Sequence, residues 1–467
     1  MAMNMKKFLM VMVLALVSVS ATFAQNCGPF KFRSYSVFDS AAAQGWSGDT
    51  FRLSQNYPAE LPKAPGGGYP WDKVDFRTKP SDYLNALLGY CMDGMEDAKF
   101  VAQANKKHSW YHAPWLDAGY GGREFLHGLV MDRTSDPKTL SVDQTLPVRN
   151  YSVTYYNPEA AYTIGQVWCN PAKPDASKAK FPVGSVILKL VFTMADTSQV
   201  KHLKGAFEWE ANVEKNTTPP IDPKEIHDVR LMQLNVAVRS NSKEAVNGWV
   251  FGVYVYDGRI AGNSLQSKFV PLGVQWGNDP GLTPKDVRDG KALTQTWINT
   301  NAWNQKDPAA SLVQNVGYGY RLQGPVGNPA ASVMSEAMTA GWPVANSFPP
   351  SGVTGDSILH WFRNVPSGQA FSPGQTSLDY SLELKEGIRY HAMANGADSL
   401  KKVLDEEVSE MLGFRAPDRN APVIVEEEEE VIEYDQGLTG KNLVVFIGFV
   451  ILMVALVGLL IWNFIRK

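Results

Sequence analysis

The densest collection of side chains able to do chemistry runs from His108 to Arg133, HSWYHAPWLDAGYGGREFLHGLVMDR, and holds three of the seven histidines. His108 and His112 stand four apart. On a helix that spacing would set both imidazoles on one face for a metal ion, with His127, Asp117 or Glu124 as further ligands. Pro114 and the glycines at 119, 121 and 122 favour a loop, which breaks that geometry. Within a loop, Trp110, His112, Trp115, Arg123 and His127 combine flat apolar surface with convergent hydrogen-bond donors, the mixture that orients a ligand in a pocket. The plainer alternative is a structured loop whose tryptophans pack while its histidines and Arg123 satisfy backbone carbonyls. A second candidate is FEWEANV. On a strand, Glu208 and Glu210 would project the same way about 7 Å apart, close enough to serve glycoside hydrolysis with Trp209 stacking on a sugar. Two acidic residues on a solvated strand face are the alternative. The sequence contains no glycine-rich phosphate loop, no GxSxG elbow and no cysteine-rich metal knuckle.

These groups must be carried by strands more than by helices. Beyond Asn150 the hydrophobic period falls to two, and SVILKLVFTM, RLMQLNVAVRS and WVFGVYVYDG are enriched in branched and aromatic residues. In the second run Met232, Leu234, Val236 and Val238 share one face while Gln233, Asn235 and Arg239 share the other, which predicts a half-buried strand. The third is apolar on both faces and predicts a central strand ending at Asp257 and Gly258. Strands without intervening helices predict a mainly β ectodomain, an antiparallel sandwich or jelly roll with a few helices. One of these helices is expected from Tyr83, where Leu84, Leu87, Leu88, Cys91, Met92 and Met95 recur at helical spacing behind Pro80, Ser81 and Asp82. Another is expected over Ser399 to Gly413. Residues 25–75 read as loop and short strands.

The ends of the chain speak to compartment. Lys6 and Lys7, the run FLMVMVLALV and the small-residue exit SVSATFA predict a signal peptide over 1–24. Leu443 to Trp462 is unbroken apolar sequence, long enough to cross a bilayer as one transmembrane helix (443–465), with 466–467 as a cytoplasmic tip. Residues 418–442, with Glu426 to Glu430 in a row, predict an extended acidic stalk. Between them lie a loop-rich region with one helix (25–109), the β-rich ectodomain (110–397) and an amphipathic helix (398–417). The predicted setting is a bacterial inner membrane, with the bulk of the chain in the periplasm. With 44 Lys and Arg against 47 Asp and Glu among 467 residues, bulk charge argues against nucleic acid as a partner and against an acidic disordered chain. Three cysteines, Cys27, Cys91 and Cys169, allow one disulfide in three ways, and spacing selects none.

GREFLHGL at 122–129, TIGQVWCNP at 163–171, FPVGSVILKLVFT at 181–193, GWVFGVYVYDG at 248–258 and PLGVQWGNDPG at 271–281 together resemble a group of exported bacterial proteins, some of them c-type-cytochrome-like. The resemblance covers about 110 to 390. It implies a CxxCH haem-attachment motif shortly after the counterpart of RLQGPVGNP at 321–329. This chain instead reads ASVMSEAMTAGW, with Val333, Glu336 and Ala337 where two cysteines and a histidine would be needed. Thioether attachment needs both sulfurs, so covalent c-haem is excluded. The resulting expectation is a non-catalytic, membrane-anchored binding or assembly protein, with the membrane and an envelope protein as partners. A carbohydrate hydrolase acting through Glu208 and Glu210 is the alternative, and a carrier of non-covalent haem or a metal ion on His108, His112 and His127 is a third reading.

Overall fold

The three apolar runs read as strands pair with one another, and a computed structural model shows what surrounds them. It describes residues 27–36, 45–214, 224–304, 306–344 and 355–397. The expected signal peptide, the Ser399–Gly413 helix, the acidic stalk and the apolar segment from Leu443 lie outside the described residues. Among the described residues no helix is long and apolar enough to cross a membrane.

Eight strands form one antiparallel sheet: β1 (Val130–Ser135), β2 (Val148–Tyr156), β3 (Val186–Thr193), β4 (Glu208–Val213), β5 (Glu225–Arg239), β6 (Trp249–Tyr256), β7 (Phe269–Gln275) and β8 (Thr296–Ile298). The order is β1-β2-β3-β5-β6-β7-β8, and β4 lies beside the first half of β5. Neighbours in sequence are thus neighbours in space, as local connections favour. The three runs singled out in the sequence are β3, β5 and β6, and β6 is buried along its whole length.

The fold is therefore mainly antiparallel β with a few helices, but the described strands do not divide into two facing sheets of similar size. The remaining two strands, β9 (Gly341–Trp342) and β10 (Thr376–Ser377), form only a short ribbon. Helices and irregular chain supply the cover instead. On one face α1 (Pro80–Met92) presents Tyr83, Leu84, Leu87, Leu88 and Cys91 to Leu188, Leu190, Leu234, Val236 and Tyr254. It approaches β6 closely because Gly252 has no side chain: a Cβ there would lie 2.7 Å from Leu84 Cδ2. The stripe ends at Met92, while Met95 is buried just beyond the helix in the following turns. The short strands expected within 25–75 are absent among the described residues, where the chain is irregular apart from a helical turn at Pro70–Lys73.

The other face is covered by α2 (Pro158–Val167), α3 (Val333–Ala337) and α4 (Leu382–Ala394). None of these three is legible from apolar periodicity. Each begins at a polar cap: Asn157, Ser332 and Ser381 accept from Ala160 N, Ser335 N and Leu384 N. Of the three possible disulfides the structure forms Cys27–Cys169, and Cys91 is a free thiol inside the core.

Candidate functional site

On the face toward α3 and α4 the sheet is not uniformly apolar. Side chains directly opposite one another on paired strands point the same way, so the registers Thr154↔Lys189 and Lys189↔Asn235 set a polar row across β2, β3 and β5. The next row runs Arg123↔Val130, Val130↔Ser152, Ser152↔Val191 and Val191↔Gln233. The polar side of β5 is thus not a solvated surface. Gln233 is 1% exposed, its amide donating to Asn235 Oδ1 at 2.7 Å and accepting from Val326 N at 3.2 Å.

Above these rows the structure leaves two cavities, of about 310 and 340 Å3, which share a wall of Asp132, Lys189, Glu336, Leu382 and Glu383. The first lies under α3 and the loop at Gln323 to Asn328, with Ile187, Phe251 and Tyr380 as apolar lining. The second lies between α4, the β1–β2 end of the sheet and the chain from Leu116 to Val130, with Tyr120, Arg123, Arg389 and Tyr390 in its wall.

The shared wall is charged. Lys189 Nζ lies 2.6 Å from Asp132 Oδ2. Burial opposes both charges, but the pair outweighs it: with Lys189 beside it the Asp132 carboxyl is held below its ordinary range, and Asp132 and Glu383 raise the ammonium above its own. Glu383 accepts from Thr154 Oγ1 at 2.9 Å and Tyr156 OH at 3.4 Å. Glu336 accepts from Gln323 Nε2 at 3.1 Å, and burial pushes its carboxyl up to about 7 against that hydrogen bond and the charges of Arg133 and Lys189. The wall can therefore offer an ammonium, two carboxylates held by neutral donors, and one proton that is exchangeable near neutrality.

The residues expected to converge as a ligand site do not come together. Trp110 is in the core beneath the opposite face, against Tyr90 and Tyr155. His112, 2% exposed, accepts from Ser54 N through Nδ1 at 2.9 Å and packs edge-on to Phe51 and Tyr155. Burial, reinforced by Arg123, holds this imidazole well below its ordinary pKa. Trp115 has a left-handed backbone (φ 70°) and packs with Trp168 and His391. His127 stacks on Trp209 at 4.2 Å and donates from Nε2 to the Glu210 carbonyl at 3.1 Å, and burial draws it down to about 4. His108 pairs with Asp93 at 3.1 Å. The segment carrying His108 and His112 is not helical, so their four-residue spacing does not align them. Among the described residues no three His, Cys, Asp or Glu side chains are grouped to hold a metal ion. Of the expected ligand residues, Arg123 is the one that borders the cavities.

Glu208 and Glu210 both stand on the exposed side of β4, where Glu208 pairs with Arg230 at 2.7 Å. Trp209 turns the opposite way. It is 6% exposed, donates to Lys99 O at 3.2 Å and stacks on Phe192.

The cavity residues missed by the sequence reading left one visible trace. Lys189 is the lone charge in VILKLVFT, and a charge in a strand otherwise apolar on both faces needs a buried partner. Asp132, Glu336 and Glu383 carry no such mark, because they reach the site through tertiary packing. Comparison of the chain with family models, with curated proteins and with solved structures finds no match in any of the three.

Proposed function

We propose that this is an exported, membrane-anchored binding protein that holds a small polar ligand in the cleft between the sheet and helices α3 and α4. The observation that carries the reading is the polar row Thr154–Lys189–Asn235 on the covered sheet face, kept open beneath the helices rather than filled. Uncompensated polar burial is costly, and two cavities of a few hundred Å3 lined by convergent donors and acceptors fit a small ligand. The expected resemblance to cytochrome-like exported proteins points to the same cleft. Val333, Glu336 and Ala337, which stand where haem attachment would require cysteines and a histidine, all border the first cavity. This is what a scaffold that binds something else in the same cleft would contain. The disulfide Cys27–Cys169 agrees with export to an oxidising compartment. In this reading the ectodomain faces the periplasm, and the cleft or the surface around it serves an envelope partner.

Hydrolysis through Glu208 and Glu210 has less support, since both carboxylates face open surface and Trp209 packs inward. Non-covalent haem on His108, His112 and His127 would require three side chains engaged at three separate places to regroup.

The test is a thermal-shift screen of the full mature chain in detergent against neutral sugars, amino acids, carboxylates and phosphates, repeated with Ala337→Phe, which fills the first cavity from α3. A stabilising ligand whose effect disappears in Ala337→Phe supports the reading. A screen without a stabilising ligand, or one whose hits are indifferent to Ala337→Phe, overturns it.

A further inference from the structure

Gln233 and Asn235 both reach the first cavity from β5, and a backbone group fixes how their amides are turned. Val326 N–H can only donate, so the Gln233 oxygen faces it and the Gln233 nitrogen faces Asn235 Oδ1 at 2.7 Å. Asn235 Nδ2 is thereby turned away from Gln233. It has no hydrogen-bond partner among the described residues, and Asn235 is half-buried in the cavity lining. Opposite it in register, Lys189 keeps 31% of its side-chain surface although β3 is a central strand, because both cavities open on it. Its pairing with Asp132 occupies one of three N–H donors. Donors with access to the cavity thus stand among acceptors, Glu336 and Glu383, that take hydrogen bonds from neutral groups.

Two residues along the same strands the floor becomes apolar. Ile187, Ala237 and Phe251 share that row, about 7 Å from the polar one. Tyr380 stands beside Phe251 with ring centroids 6.1 Å apart, and its hydroxyl is bound to Val365 O at 2.5 Å, so it offers the cavity ring surface alone. Formal charge closes within the wall of this chamber, where Asp132, Glu336 and Glu383 are matched in number by Arg133, Lys189 and Lys385. A ligand here therefore needs no net charge, needs groups that donate and accept at once, and needs a flat apolar face. Hydroxyls on a saturated ring meet all three conditions.

We infer that the first cavity takes an uncharged sugar, its C–H face on Phe251 and Tyr380 and its hydroxyl edge on Asn235, Lys189 and Glu336. The inference rests on the binding reading above and gives it a ligand class.

Isothermal titration of the full mature chain, in a detergent without a sugar headgroup, tests this with glucose, galactose, xylose, N-acetylglucosamine and maltose. Saturable binding of at least one is expected. It should be lost in Ala337→Phe and weakened at least about tenfold by Asn235→Leu, which removes the free donor and keeps the side-chain size. Should Asn235→Leu fail to fold, monodeoxy forms of the bound sugar test the same contacts in the parent, and at least one should bind about tenfold more weakly. The inference is overturned if none of the five sugars binds, if binding is indifferent to Ala337→Phe, or if a folded Asn235→Leu protein binds as the parent does. Monodeoxy sugars that all bind like the parent sugar overturn it equally. An amino acid, carboxylate or phosphate that alone stabilises the parent, and does not stabilise Ala337→Phe, would leave the cleft reading standing and remove only the sugar.

Discussion

His112 and Glu336 put burial to opposite uses. His112 is buried neutral, its Nδ1 taking the Ser54 N–H and its ring filling the space between Phe51 and Tyr155. Replacing it by Ala orphans that amide and opens a void, so His112→Ala should cost about 2–4 kcal/mol in urea denaturation. A loss under about 0.5 kcal/mol would remove it from the packing. Glu336 instead keeps a proton that water would take. Its carboxyl ionises near ~4.3 in an unfolded chain but only at about 7 in the folded protein. Over that window the folded state binds the extra proton, so its contribution is complete below the lower value and is lost as pH rises through 7. Glu336→Gln removes this dependence. Its stability relative to the parent should climb between pH 5 and pH 7.5, and a parent that gained on the variant over that interval would contradict the assigned direction.

At the scale of elements, the cleft exists because the cover over the sheet is pinned at its margins and left unpacked between them. Asp379 is one such pin. Its backbone is left-handed (φ 48°), and its carboxylate accepts from Phe181 N at 2.9 Å, Trp249 Nε1 at 3.1 Å, Ser367 Oγ at 2.6 Å and Gly368 N at 3.2 Å. One side chain thereby joins β6 to the chain before β3 and to the segment leading into α4. Asp379→Asn turns an amide donor toward donors and should cost about 2–4 kcal/mol, with the Trp249 environment changing in fluorescence. Retention of the parent's stability would mean that these contacts are replaceable. The strands that the sequence reveals, β3, β5 and β6, are those whose two sides differ in burial or are both buried. Helices α2, α3 and α4 escape a periodicity reading because buried glycine, alanine and polar residues interrupt their stripes.

For the molecule as a whole, the longest covalent tie is Cys27–Cys169, which closes a sequence separation of 142 residues and fastens the irregular N-terminal chain beside α2. Restricting so long a loop in the unfolded state is worth about 2–5 kcal/mol. Cys27→Ser should lower the unfolding free energy by that amount, read as a lower urea midpoint, and abolish the effect of added reductant, whereas Cys91→Ser should leave the reductant effect in place. An unchanged midpoint for Cys27→Ser would dissociate the tie from stability. Sequence alone determined what depends on nearest neighbours: the α1 stripe, the three central strands, the predominance of β structure, and the odd charge of Lys189 in an apolar run. Only the tertiary structure decided which cysteines pair, that Trp209 points away from its flanking glutamates, and that the histidines of the 108–133 segment serve three separate places. It also assembled Arg123, Asp132, Lys189, Asn235, Glu336 and Glu383 around one cleft. These residues are far apart in the chain, and strand register and helix docking brought them together. Local sequence preference encodes which face of a strand is apolar, but not which distant strand, helix or charge will face it.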